Sequence, residues 1–152
     1  MPTALAIRFA GCLLVQALLA QVSPSPWWVP DLSLVSLLVL VSHVPAQWLP
    51  WSALAGLWVS VWALRVAWPL LLGYVALGWL VRRCAYALDT SDLSTQGLLV
   101  GLAAILLTLA LVWVEHLWTL TVLGGALLRV IVTVLAVPVV RRVIVRSSPT
   151  VP

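Results

Sequence analysis

Residues 32–64 read LSLVSLLVLVSHVPAQWLPWSALAGLWVSVWAL, a stretch of 33 residues without Asp, Glu, Lys or Arg. A helix that spans a bilayer needs about 20 apolar residues, so this stretch is too long for one ordinary span. Pro45 and Pro50 lie in its middle, where prolines favour a turn. The stretch therefore predicts two helices joined by a turn.

Uncharged stretches bounded by charges recur along the 152 residues, which are 64% hydrophobic and 8% charged. Soluble domains carry about 25% charged residues, so the composition excludes a cytosolic enzyme, a secreted disulfide scaffold and a disordered protein. It predicts an all-α integral membrane protein, a compact bundle that forms a single transmembrane domain over residues 1–152. Six spans are predicted, at 4–22, 31–44, 51–64, 66–81, 95–114 and 118–140, with a short cytoplasmic tail at 141–152. Five spans are the alternative, if the middle of 32–64 is re-entrant.

The arginines predict the orientation. With six spans, six of the eight arginines share one side of the membrane: Arg8, Arg82, Arg83, Arg141, Arg142 and Arg146. Arg65 lies on the opposite side, and Arg129 lies within a helix. Arginine accumulates on the cytoplasmic side, so both termini are expected to be cytoplasmic. The expected topology anchors follow the fourth and sixth spans and are Arg82, Arg83, Arg141, Arg142 and Arg146.

Polar side chains within the spans are candidate contact residues, because a charge at membrane depth is costly. Asp31 begins the second helix, where it is expected to cap the helix, to contact a partner, or both. Arg129 lies 12 residues before Arg141, near the middle of the bilayer. Its expected partner is Glu115, a helix carbonyl or a group on another protein. Gln16, on the first helix, is expected to bond across helices.

Small residues indicate close helix contacts. Gly97 and Gly101 form a GxxxG motif on the fifth helix, and Gly73 lies on the fourth. Such residues let helix backbones approach each other, within the bundle or with a partner helix.

The motifs of intramembrane catalysis are missing from the sequence. It has four acidic residues, two histidines and neither HExxH nor GxSxG. We therefore expect no catalytic residue, no metal and no cofactor, and the few dispersed arginines do not predict nucleic-acid binding.

The order of features resembles the family of the rod shape-determining protein MreD of bacterial cell elongation. Six segments carry the resemblance: Val15–Gln21, Pro30-Asp31-Leu32, Ala55-Gly56-Leu57, Leu72-Gly73-Tyr74 continuing to Arg82-Arg83, Gln96–Val100, and Pro138 to Arg142. The family commonly closes its third helix with a carboxylate, whereas this chain reads Val61-Trp62-Ala63-Leu64-Arg65, so no role of that acid transfers.

The resemblance implies a non-enzymatic scaffold in the bacterial inner membrane. Its expected partners are MreC, the membrane lipids and, through MreC, the MreB filament and the glycosyltransferase–transpeptidase pair that synthesises peptidoglycan. Pro30, Asp31, Gly73 and Tyr74 fall in the resembling segments and are candidate contact residues. The resemblance also implies a fold similar to the substrate-binding subunits of energy-coupling-factor transporters. The alternative function is therefore a small-molecule, vitamin-like binding subunit of a transporter.

Overall fold

The computed structural model describes residues 3–23, 29–62, 67–88, 92–116 and 118–145. These residues form six α-helices: α1 (Thr3–Val22), α2 (Leu32–His43), α3 (Trp48–Trp62), α4 (Ala67–Ala87), α5 (Leu93–Val114) and α6 (Leu120–Val145). The all-α prediction is confirmed, because the described ranges contain no strand. Arg65 and Arg146 lie outside the described residues.

Four of the helices are long and apolar enough to cross a membrane: α1, α4, α5 and α6. The other two are shorter, with 12 residues in α2 and 15 in α3. At 1.5 Å per residue α2 is about 18 Å long, well below a hydrocarbon core of about 30 Å. The structure thus supports a membrane protein with four long helices, and six helices of full spanning length are not present in the described chain.

The predicted turn within residues 32–64 is confirmed. A short 3₁₀ turn at Pro45–Gln47 separates α2 from α3. Pro50 lies in the first turn of α3 rather than before it. Proline is tolerated there because the first N–H groups of a helix have no partner within it.

Helix α2 is the central element of the bundle. Residues Leu32 to Val41 are all buried, and α2 contacts each of the other five helices. A helix that is apolar on every side is stable only when other helices surround it. The buried Ser36 is compatible with these apolar surroundings, because its Oγ donates a hydrogen bond to the Ser33 carbonyl within the helix.

The start of α1 and the end of α6 lie together. Arg8 Nη1 donates to the Ile144 carbonyl at 3.0 Å. One cavity is lined by Leu93, at the start of α5, and by Arg141 and Arg142, near the end of α6. We call this side of the bundle, where Arg8, Arg82, Arg83, Arg141 and Arg142 lie, the arginine end, and the opposite side the far end. The grouping agrees with the predicted clustering of these arginines, and the cytoplasmic orientation stays a prediction.

Helix α6 is longer than its predicted span. It continues through Pro138, Arg141 and Arg142 to Val145, so the first five residues of the expected tail at 141–152 are helical. Helix α4 likewise continues past Arg82 and Arg83 to Ala87. The charges do not end these helices, because arginine is a good helix former and extends its charged group towards water at a membrane surface.

Helices α3 and α4 pack against each other more extensively than any other two described helices. A Cβ added at Gly56 would come within 2.9 Å of Leu71 Cδ1 and 3.2 Å of Leu71 Cα. A Cβ added at Gly78 would collide with Ser52 Oγ. Glycine at both positions therefore allows the two helices to approach closely at two points of their interface.

Candidate functional site

Asp31 is the centre of a buried polar cluster. The residue is 6% exposed and caps α2, because its Oδ1 accepts a hydrogen bond from Leu34 N at 3.0 Å. Oδ1 also accepts from Tyr74 Oη at 2.8 Å, and Oδ2 forms an ion pair with Arg129 Nη2 at 3.3 Å. The backbone N–H of Asp31 donates to Thr133 Oγ1 at 3.0 Å. One carboxylate thus joins the start of α2 to α4 and α6.

The cluster lies deep within the bundle. Tyr74 is seven residues from the far end of α4 and Arg129 nine residues from that of α6. At 1.5 Å per residue these positions are about 10 and 14 Å below the helix ends, near the middle of a hydrocarbon core of about 30 Å. The start of α2 is therefore recessed, and its first N–H groups need partners inside the protein.

Gln16 supplies a second partner for the start of α2. Its Oε1 accepts hydrogen bonds from Ser33 N at 2.6 Å and from Ser33 Oγ at 2.7 Å. The expected bonding of this amide across helices is confirmed. Together Asp31 and Gln16 satisfy two N–H groups of the first turn, those of Leu34 and Ser33.

Replacing Gln16 by Leu is expected to lower the free energy of unfolding by about 1–3 kcal/mol, because the Ser33 N–H would lose its acceptor in a buried position. The measurement is unfolding in mixed detergent micelles, followed by circular dichroism. Gln21→Leu is the matched control, since Gln21 is an exposed residue of the same helix. That variant should change the free energy by no more than about 0.5 kcal/mol. Equal effects of the two substitutions would contradict the role of Gln16.

Arg129 points into the bundle. In the sequence it follows the buried Ala126 by three positions and precedes the buried Thr133 by four. The three residues therefore share one face of α6. Its side chain is 29% exposed, and Asp31 is the residue with which it pairs. Glu115, one of the expected partners, instead forms the C-cap of α5 and is exposed. The expected pairing of Arg129 with Glu115 is therefore wrong. Asp31, at the start of α2, lies at the depth of Arg129, whereas Glu115 lies at the end of α5.

The structure does not bring the other candidate residues into this cluster. Pro30 is half-buried, and its carbonyl accepts from Leu32 N at 2.9 Å just before α2. At Gly73 a Cβ would lie 3.0 Å from Leu107 Cδ1, and at Gly101 3.4 Å from Val134 Cγ2. Gly97 has nothing within 4 Å of that position. Only Gly101 of the GxxxG motif therefore contacts another helix among the described residues, and that contact is an ordinary one. The motif does not bring two helix backbones close together there.

No protein-family model, curated protein or solved structure matches this chain. Among the described residues, no group of three His, Cys, Asp or Glu side chains is placed to hold a metal ion. The Asp31 carboxylate accepts from donors on α2, α4 and α6, an arrangement that fixes helices in place.

Thr133 and Ser33 were not among the predicted residues. A signal for Thr133 is present in the sequence, because it follows Arg129 by four positions and so shares its helix face. The pairing of Tyr74 with Asp31 has no comparable signal, since the two residues lie on different helices, 43 positions apart.

The described arginines of α4 contact aromatic rings at the arginine end. The guanidinium of Arg82 lies 5.8 Å from the ring centroid of Trp48, and that of Arg83 lies 5.4 Å from the ring centroid of Trp79. Tryptophan and arginine are typical of the membrane–water interface, where the ring is half in lipid and the charge is in water.

Proposed function

We propose that this protein is a non-enzymatic, multi-pass scaffold of the bacterial inner membrane that acts in cell elongation as a member of the MreD family. On this proposal it binds MreC, a single-span periplasmic organiser. Through MreC it helps to organise the MreB filament and the glycosyltransferase–transpeptidase pair of peptidoglycan synthesis. The observation that carries the proposal is an open apolar groove on the surface of the bundle, between α4 and α5.

The groove has the chemistry expected of a helix-binding surface in a membrane. Its volume is about 360 Å³. Its described lining is apolar or aromatic and consists of Gly73, Ala76, Leu77, Trp79, Leu80, Leu106, Leu107 and Ala110. Ala76 and Ala110 are exposed, one on each helix, so a partner backbone can approach closely on both sides. Helices associate in lipid by close packing at small residues, because burial of apolar surface gives little gain there.

The buried polar cluster also supports a scaffold function, because its polar groups bond to each other within the protein. Arg129 and Tyr74 both donate to Asp31, and Gln16 accepts from Ser33. A transporter subunit that binds a small molecule instead requires polar groups that converge on the ligand. The cluster serves to hold the short α2 in place, so a rigid bundle presents the groove.

Ala76→Leu is expected to reduce the amount of MreC that co-purifies with the protein at least fivefold, because a branched side chain would fill the floor of the groove. The measurement is co-purification in mild detergent after co-expression with the MreC of the same bacterium. Ala10→Leu is the matched control, since Ala10 is also an exposed alanine and lines a different apolar groove, between α1 and α3. That variant should retain MreC.

Two results would contradict the proposal. Wild-type protein that never retains MreC would remove the scaffold function, and a tightly bound vitamin-like molecule in its place would favour the transporter subunit. Loss of MreC with Ala10→Leu but not with Ala76→Leu would move the interface to the groove between α1 and α3.

A further inference from the structure

A basic cavity of about 640 Å³ lies at the arginine end, between the start of α5 and the end of α6. The described residues that line it are Leu93, Pro138, Arg141, Arg142 and Val145. No acidic residue is among them. The cavity thus combines two guanidinium groups with an apolar wall, and it is separate from both the Asp31 cluster and the groove between α4 and α5.

An exposed apolar stripe of α6 leads from the membrane interior to this cavity. Ile131, Leu135, Pro138 and Arg142 follow one another at intervals of four, three and four residues, so they share one face of the helix. Ile131 is 48% exposed and Leu135 68% exposed, and Arg142 is exposed as well. From Ile131 to Arg142 the stripe is about 16 Å long, close to the depth of one leaflet.

The charge of the described residues around the cavity is predominantly positive. Arg8 donates to the Ile144 carbonyl, so a third guanidinium belongs to the same end of α6. Among the described residues, Asp92, beside Leu93, is the acidic residue next to the lining. Its Oδ2 already accepts from Thr95 N at 3.2 Å as the cap of α5. Basic pockets between helices at a membrane surface favour anionic head groups.

We propose that this cavity binds the phosphate of an anionic phospholipid. Arg142 donates to the phosphate, and an acyl chain lies along Ile131 and Leu135. A head group without a cation is preferred, since an added ammonium or choline group would lie among the arginines. The proposal is independent of the proposed scaffold function, because it concerns another surface and another ligand.

Lipid binding by the full-length protein in detergent, measured by native mass spectrometry, tests this proposal. The probes are dioleoylphosphatidylglycerol and dioleoylphosphatidylcholine, with inorganic phosphate as a separate arm. The wild-type protein should prefer phosphatidylglycerol at least about fivefold, and Arg142→Gln should lower its affinity for that lipid about fivefold. Arg142→Lys should retain the preference, which separates charge from folding.

Arg83→Gln is the matched control, because it removes one exposed arginine at the same end but outside the cavity. It should change the phosphatidylglycerol affinity less than twofold. Equal binding of the two lipids by the wild-type protein would overturn the proposal, as would an equal loss with Arg83→Gln. Inorganic phosphate that binds as well as the lipid would show a site for a free anion and would overturn it too.

Discussion

Asp31→Asn is expected to lower the free energy of unfolding by about 3 kcal/mol, because it leaves the charge of Arg129 without its counterion at membrane depth. Loss of one partner of a buried ion pair usually costs about 3–5 kcal/mol. The lower value applies here, since the side chain of Arg129 is 29% exposed. Asparagine retains the oxygen that caps α2, so the change isolates the charge.

Asp92→Asn provides a matched control for this prediction. Asp92 caps α5 as Asp31 caps α2, and each side chain accepts from the N–H three residues later. Asp92 is exposed and bonds only to Thr95 among the contacts seen for its side chain in the described residues. Its replacement should therefore cost less than about 0.5 kcal/mol, since Asn and Asp are equivalent caps.

A double-mutant cycle in mixed micelles completes the measurement. Arg129→Leu added to Asp31→Asn should restore part of the lost stability, because no unpaired charge then remains. Additive effects of the two substitutions, or equal losses for Asp31→Asn and Asp92→Asn, would show that the ion pair does not hold the start of α2.

Gly78→Ala is expected to lower the free energy of unfolding by about 1–3 kcal/mol, as overpacking at a buried contact usually does. The new Cβ would collide with Ser52 Oγ on α3. Ser52 is completely buried and donates to the Trp48 carbonyl at 2.7 Å, so it cannot move away without loss of that bond. The same unfolding assay in mixed micelles measures the effect.

Gly97→Ala is the control for Gly78→Ala, because both glycines are within helices but nothing lies near the added carbon at Gly97. In the absence of a collision, alanine favours a helix by about 1 kcal/mol over glycine, so this variant should be as stable as the wild type or more stable. Ser52→Gly combined with Gly78→Ala should recover stability, since it removes the colliding side chain. A neutral Gly78→Ala would contradict the close approach of α3 and α4.

The helices were largely predictable from the sequence, because charges and prolines mark their boundaries in an apolar chain. The predicted span 31–44 differs from α2 by one residue at each end. Helices α4 and α6 continue past the ends of the predicted spans, since arginine at a membrane surface does not end a helix. The length of α2 was predictable, but its recessed position was not, because that depends on how the longer helices pack around it.

The site was predictable residue by residue but not as a cluster. Asp31 as a cap and Gln16 as a bridge between helices follow from residue type and position. The ion pair of Asp31 with Arg129 joins residues 98 positions apart. It was missed because the two residues lie on different helices, and only the packing of the short α2 among the longer helices places Asp31 at the depth of Arg129.

The measurement that tests the proposed function most directly is photo-crosslinking in growing cells, from a photoreactive phenylalanine placed at one leucine of each groove. Leu80 lines the groove between α4 and α5, and Leu57 lines the groove between α1 and α3; both are exposed. The scaffold proposal predicts a crosslink to MreC from position 80 and none from position 57. A crosslink to MreC from position 57 alone, or none from either position while the protein supports cell elongation, would contradict it.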